Sequence, residues 1–188
     1  MIKDPYKTGH FIMSSWGALI MSFFGSVFIS LTLYWQFHLT GRILILPFIG
    51  FGLIGIAAAK VLRSPGEPLK PSQREERAIM WSSMGGGIGL FIISNIIINL
   101  HHPELLLPAM ALVVGLHFLP IAAAGGFRPF YGLGGALIAV SIAGFITHNG
   151  AVAGLAAAAC LWAASLLAIR RDAKARLSSL ATGTTSSG

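Results

Sequence analysis

Glu104–Tyr131 reads ELLLPAMALVVGLHFLPIAAAGGFRPFY, and after Glu104 no charged residue appears until Arg128. A helix rises about 1.5 Å per residue, so this run is long enough to cross the ~30 Å of hydrocarbon in a bilayer. One ionisable side chain, His117, stands near its middle. Pro120 lacks an amide N–H and would release the carbonyl of Leu116, one residue before the histidine. The run closes on Arg128 and an aromatic pair, Phe130 and Tyr131, which predict an interfacial anchor. A cytoplasmic gate or a phosphate contact is the competing reading of that junction.

The rest of the chain has the same character. It has 188 residues, 55% apolar and only 10% charged, with 23 glycines. A soluble domain carries about 25% charged residues, so this chain has too few to coat a water-facing surface. The net charge of +7 does not point to nucleic acid, because the Lys and Arg residues cluster beside apolar runs. One cysteine, Cys160, inside an apolar segment excludes a disulfide framework and reads as a small packing residue.

Six apolar runs are predicted as spans, at residues 11–35, 42–61, 78–100, 104–124, 129–147 and 150–169. The fold class expected is all-α: a polytopic membrane protein with a six-transmembrane-helix bundle over residues 1–172. Residues 173–188 are expected to be a flexible cytoplasmic tail. The first run is too long for a signal-peptide core and is read as an uncleaved span. It carries Ser14, Ala18, Ser22, Ser26 and Ser30 at every fourth position, one helical face of small side chains. Gly85 and Gly89 form a GxxxG pair in the third span. Ser72 and Glu75 fit a capping box before it. With the N-terminus inside, twelve of the thirteen basic residues fall on the inner side and only Arg42 outside. That bias predicts cytoplasmic N- and C-termini in the cell membrane. Weak matches between the openings of the spans leave three successive helical hairpins open as the build.

Function is less constrained. No acid falls inside a span: Asp4, Glu67, Glu75, Glu76, Glu104 and Asp172 all lie at ends or in loops. This argues against carboxylate-based ion pumping and against paired-carboxylate hydrolysis. HExxH, GxSxG and phosphate-loop motifs are absent, so no enzyme is predicted. An intramembrane histidine is a candidate site by default. His117, with Asn95, Asn99, Ser22 and Ser26, is therefore the candidate small-solute binding or permeation site. The competing reading is a structural or stress-response protein whose polar groups only pack helices. His38, His101, His102 and His148 fall in outer loops and would make a metal site if they converged; otherwise they are ordinary interfacial histidines. No other cofactor is expected. The partners expected are the lipid bilayer and a second copy through small-residue helix faces.

Gly115–Ala122, GLHFLPIA, resembles a motif of small uncharacterised bacterial multi-pass membrane proteins that carry GLHFLP in a late span. The likeness covers mainly the fourth and fifth spans. It implies a bacterial cytoplasmic membrane and no particular substrate. The size and three-hairpin layout also resemble acid-stress membrane proteins of the HdeD type, in architecture and without a shared motif.

Overall fold

The computed structural model describes residues 15–65, 73–125 and 128–184. Among them every regular element is helical: α1 (Ser15–Trp35), α2 (Pro47–Leu62), α3 (Gln73–Asn99), α4 (Leu106–Gly125), α5 (Arg128–Thr147) and α6 (Gly150–Thr184). Short 3-10 turns at Gly41–Ile45 and Pro103–Leu105 lead into α2 and α4. Among the described residues six helices are long and apolar enough to span a membrane. Residues 1–14, with Ser14 of the serine stripe, and Ser72 of the expected capping box lie outside the described residues.

α1, α4, α5 and α6 share one core, with Phe28, Leu107, Leu137 and Leu161 almost wholly enclosed. The most extensive contacts join α1 to α6 and α4 to α5, so partners meet across the sequence-adjacent hairpins as well as within them. α2 lies against α1 and α6, and α3 lies along α4. α3 is the outlier in burial, since only 6% of its apolar window is enclosed.

The small face of α1 is a packing seam. Ala18, Ser22 and Ser26 are fully buried. Ser26 Oγ donates to the Pro47 carbonyl at 3.0 Å and Ser30 Oγ to the Leu44 carbonyl at 2.8 Å, so two hydroxyls tie α1 to the entry of α2. Trp162 of α6 closes the seam, its indole N–H donating to the Ser22 carbonyl at 3.1 Å. The ring fits because Gly25 and Gly50 have no side chains: a Cβ on either would stand within 2.6 Å of it. Close approach of this kind is what holds helices together where the surroundings are as apolar as the side chains.

The GxxxG expectation needs a correction. Gly85 faces open space, and Gly86 and Gly89 are the glycines against α4, beside His117 and Val113. At 3.6 residues per turn, Ser82, Gly86 and Gly89 share the face that meets α4, and Gly85 does not.

The expected tail also differs. α6 continues through residue 172 to Thr184, where a flexible segment was predicted from 173. Asp172, read as lying at the end of the sixth span, is fully buried. Its Oδ2 accepts from the Ser15 amide at 3.0 Å and from Ser15 Oγ at 2.7 Å. Its Oδ1 accepts from Arg176 Nε at 3.3 Å, and Arg176 Nη1 donates to the Ser64 carbonyl at 3.0 Å. A carboxylate and a guanidinium one turn apart thus gather the start of α1, the end of α2 and the last part of α6 at one end of the bundle. At the opposite end Gln36 Nε2 donates to the Pro103 carbonyl at 3.4 Å, and Gly150 packs against Gln36 and the Glu104 backbone.

Candidate functional site

His117 sits on α4 where α3 crosses it. Its Nδ1 lies 2.7 Å from the carbonyl oxygen of Ser82. A carbonyl only accepts, so Nδ1 carries the proton in this contact. Ser82 Oγ donates in return to the His117 carbonyl at 2.6 Å and lies 3.1 Å from Nδ1. Each residue therefore offers one side-chain donor to the other's backbone. The imidazole reaches α3 because the next turn carries Gly86, where a Cβ would meet Nδ1 at 3.0 Å. The ring edge rests against Phe118 at a centroid distance of 5.4 Å, and Phe118 stacks on Phe130 of α5. Pro120 lies inside α4, and the helix continues past it to Gly125.

The other residues read as a solute site do not join His117. Asn95 and Asn99 are exposed on α3, and each amide folds back onto its own helix, donating to the carbonyls of Phe91 at 2.7 Å and Asn95 at 2.9 Å. Ser22 Oγ donates to the Leu19 carbonyl at 3.0 Å and Ser26 Oγ to Pro47, in the seam that α1 shares with α2 and α6. A groove of about 280 Å³ beside α1 and α2 is lined by Trp16, Leu19, Ile20, Phe23 and Phe51, all apolar and none of them in the candidate set.

The metal expectation is corrected by the backbone. Among the described residues no group of three His, Cys, Asp or Glu side chains could hold a metal ion. His102 Nδ1 pairs with Glu104 Oε1 at 2.9 Å, and that is a pair rather than a cluster. What His38, His101 and His148 have in common is conformational: their φ angles are 54°, 59° and 48°. They follow the ends of α1, α3 and α5, in the left-handed position where glycine is usual. The bonds of a Schellman cap accompany two of them. His102 N donates to the Ile97 carbonyl at 3.3 Å with His101 N to Ile98 at 3.1 Å, and Asn149 N donates to Gly144 at 3.2 Å. After α1 the bond is one residue wider, from Leu39 N to the Leu33 carbonyl at 2.9 Å. Histidine is one of the few residues with a side chain that tolerates this region. The three odd-numbered helices thus end alike, at the end of the bundle that carries the α1–α2, α3–α4 and α5–α6 connections.

This reading is testable at His38, which is exposed. His38→Gly is expected to raise the unfolding free energy by up to about 1 kcal/mol, and the β-branched His38→Val to lower it by about 1–2 kcal/mol. Chemical denaturation in detergent micelles reads both. Equal stability of the two variants would show that the backbone there is not held in the left-handed form.

Sequence reasoning missed Ser82 and the Asp172–Arg176 pair. The second carried a signal, an acid and a base four residues apart in helical register. Ser82 carried none beyond its place next to a glycine run. No protein-family model, curated protein or solved structure matches this chain, so the GLHFLPIA likeness gains no family from these comparisons.

Proposed function

We propose that this chain is a six-span integral protein of the cytoplasmic membrane, with both termini in the cytoplasm. In this reading it is not an enzyme, and its intramembrane polar residues hold helices in register rather than line a solute path. The observation that carries the proposal is the reciprocal bonding of Ser82 and His117 between α3 and α4. The Nδ1–H of His117 and the hydroxyl of Ser82 are both committed to backbone carbonyls of the neighbouring helix, which supports a packing role for the pair. The hydroxyls of Ser22, Ser26 and Ser30 are likewise committed to backbone carbonyls. Every such bond satisfies a group that hydrocarbon could not.

The orientation rests on charge. Twelve of thirteen basic residues lie on one side of a six-span path, the bias expected of cytoplasmic loops. The contacts of Ser15 and Ser64 with the Asp172–Arg176 pair agree, since they gather the start of the first span and the end of the last at one end.

Two measurements test the proposal. Reporter fusions after Lys70 and at the C-terminus should both report cytoplasm, and an external signal from either contradicts the topology. In proteoliposomes, small polar solutes should cross no faster than in empty vesicles, and His117→Ala should change thermal stability rather than flux. A solute flux that the wild type supports and His117→Ala abolishes would instead establish the permeation reading.

A further inference from the structure

α3 packs on α4 along one face and is exposed over most of the rest. Ser82, Gly86 and Gly89 meet α4, and Ile97 further along the same face is buried. On the opposite side Met84, Ile88, Phe91, Asn95 and Ile98 are all exposed, Phe91 to 71%. Their spacing is four, three, four, three, the repeat with which two helices wind around each other in a left-handed pair.

Apolar side chains on that face could simply meet lipid. Asn95 is different. It lies seven residues, about 10 Å, outward of Ile88 and is still within the apolar run. It stands two residues from Ile97, about 200° around the helix, so it points away from α4. Its amide makes one bond, Nδ2 to the Phe91 carbonyl. That leaves Oδ1 and a second N–H unbonded on an exposed residue. Polar side chains within membrane spans face protein rather than hydrocarbon, where unmade bonds are costly.

We infer that α3 pairs with α3 of a second copy of this chain through Met84, Ile88, Phe91, Asn95 and Ile98, with the two Asn95 amides bonded to each other across a two-fold axis. Three features select a second copy as the occupant. A carboxamide carries both donor and acceptor, so it complements itself. All copies insert with the same orientation, so two α3 helices related by a two-fold axis along the membrane normal run parallel, with equal numbers opposite each other. A single asparagine in an otherwise apolar heptad seam is the best-attested device for fixing the register of a parallel pair. The inference rests on the six-span insertion proposed above but not on the absence of a solute path, since a dimer could hold or lack one.

The test uses the full chain in phosphatidylethanolamine–phosphatidylglycerol liposomes. With Cys160 replaced by Ala, single cysteines are placed at Met84, Phe91 and Ile98 on the seam and at Ile96 off it. Mild oxidation should cross-link the first three to a dimer and leave Ile96 monomeric. Because the cysteine-free background can itself perturb folding, a second measurement keeps Cys160. Single-molecule photobleaching across a series of protein-to-lipid ratios should give a wild-type dimer. Asn95→Leu should weaken it about threefold to twentyfold, the range spanned by side-chain hydrogen bonds between membrane helices. Asn95→Gln, which keeps the amide, should recover part of the loss. One-step bleaching at every ratio, equal cross-linking at Ile96, or an association constant unchanged by Asn95→Leu would each overturn the pairing. So would cross-linking in native membranes to a protein of different mass while the purified chain stays monomeric.

Discussion

Asp172→Ala is expected to lower the unfolding free energy by about 3–5 kcal/mol, the range for removing one partner of a buried ion pair. The carboxylate is fully buried and its partner Arg176 is 6% exposed, so solvent screens little of the loss. Three donors lose their acceptor at once: the Ser15 amide, Ser15 Oγ and Arg176 Nε. Arg176 loses the Asp172 carboxylate, while its Nη1 still holds the Ser64 carbonyl. Asp172→Asn keeps the volume and one acceptor oxygen but loses the charge, and about 1.5–3 kcal/mol should go with it. Denaturation in detergent, followed by tryptophan fluorescence, measures both variants. If Asp172→Ala stays within about 0.5 kcal/mol of wild type, the range usual for plain surface substitutions, that end of the bundle is hydrated and its helices are not clasped.

The second large effect is expected at the α4–α5 crossing. A Cβ on Gly115 would stand 2.9 Å from the Gly134 carbonyl oxygen and 3.1 Å from the Ile138 amide nitrogen. A Cβ on Gly134 would in turn stand 2.9 Å from the Gly115 carbonyl oxygen. These neighbours are backbone, which cannot swing aside as a side chain would. Gly115→Leu should therefore separate the two helices and destabilise by about 3 kcal/mol or more, the upper part of the range for overpacked cores. Gly115→Ala should cost about 1–3 kcal/mol. Gly132, also on α5 but open to its surroundings, is the control. Its alanine variant should be neutral or slightly stabilising, since alanine is the better helix former. Equal effects at Gly115 and Gly132 would mean that the crossing is looser than described.

How much of this was legible in the sequence depends on the kind of signal. The six helices were, because a long apolar run with charges at its ends states its own limits. The fourth and fifth spans, read as 104–124 and 129–147, agree closely with Pro103–Ala124 and Pro129–Thr147. The sixth was cut short because Arg170, Arg171, Lys174 and Arg176 look like the end of a span. Only the burial of Asp172 shows that the helix continues there as part of the bundle. The seam along α1 was legible as a row of small residues, although its occupant, Trp162, was not.

Pairings between distant helices were not legible. Nothing in WSSMGGGIG says that Ser82 faces His117, because the partner lies thirty-five positions away and is set by how two helices cross. The loop histidines misled for a different reason. Histidine is read first as a ligand or a titrating group, whereas His38, His101 and His148 share a backbone conformation.

The Ser82–His117 contact clasps α3 to α4, and a double-mutant cycle addresses it directly. Unfolding free energies of wild type, Ser82→Ala, His117→Ala and the double variant are measured in one detergent–lipid mixture. Ser82→Ala removes one of the two bonds, and His117→Ala removes the other while leaving the Ser82 hydroxyl its carbonyl. If side chains and backbone act as one unit, the two losses are not additive and a coupling of about 0.6–1.7 kcal/mol is expected. If both single variants instead stay within about 0.5 kcal/mol of wild type, the clasp is contradicted and His117 returns to the groups free to meet a solute.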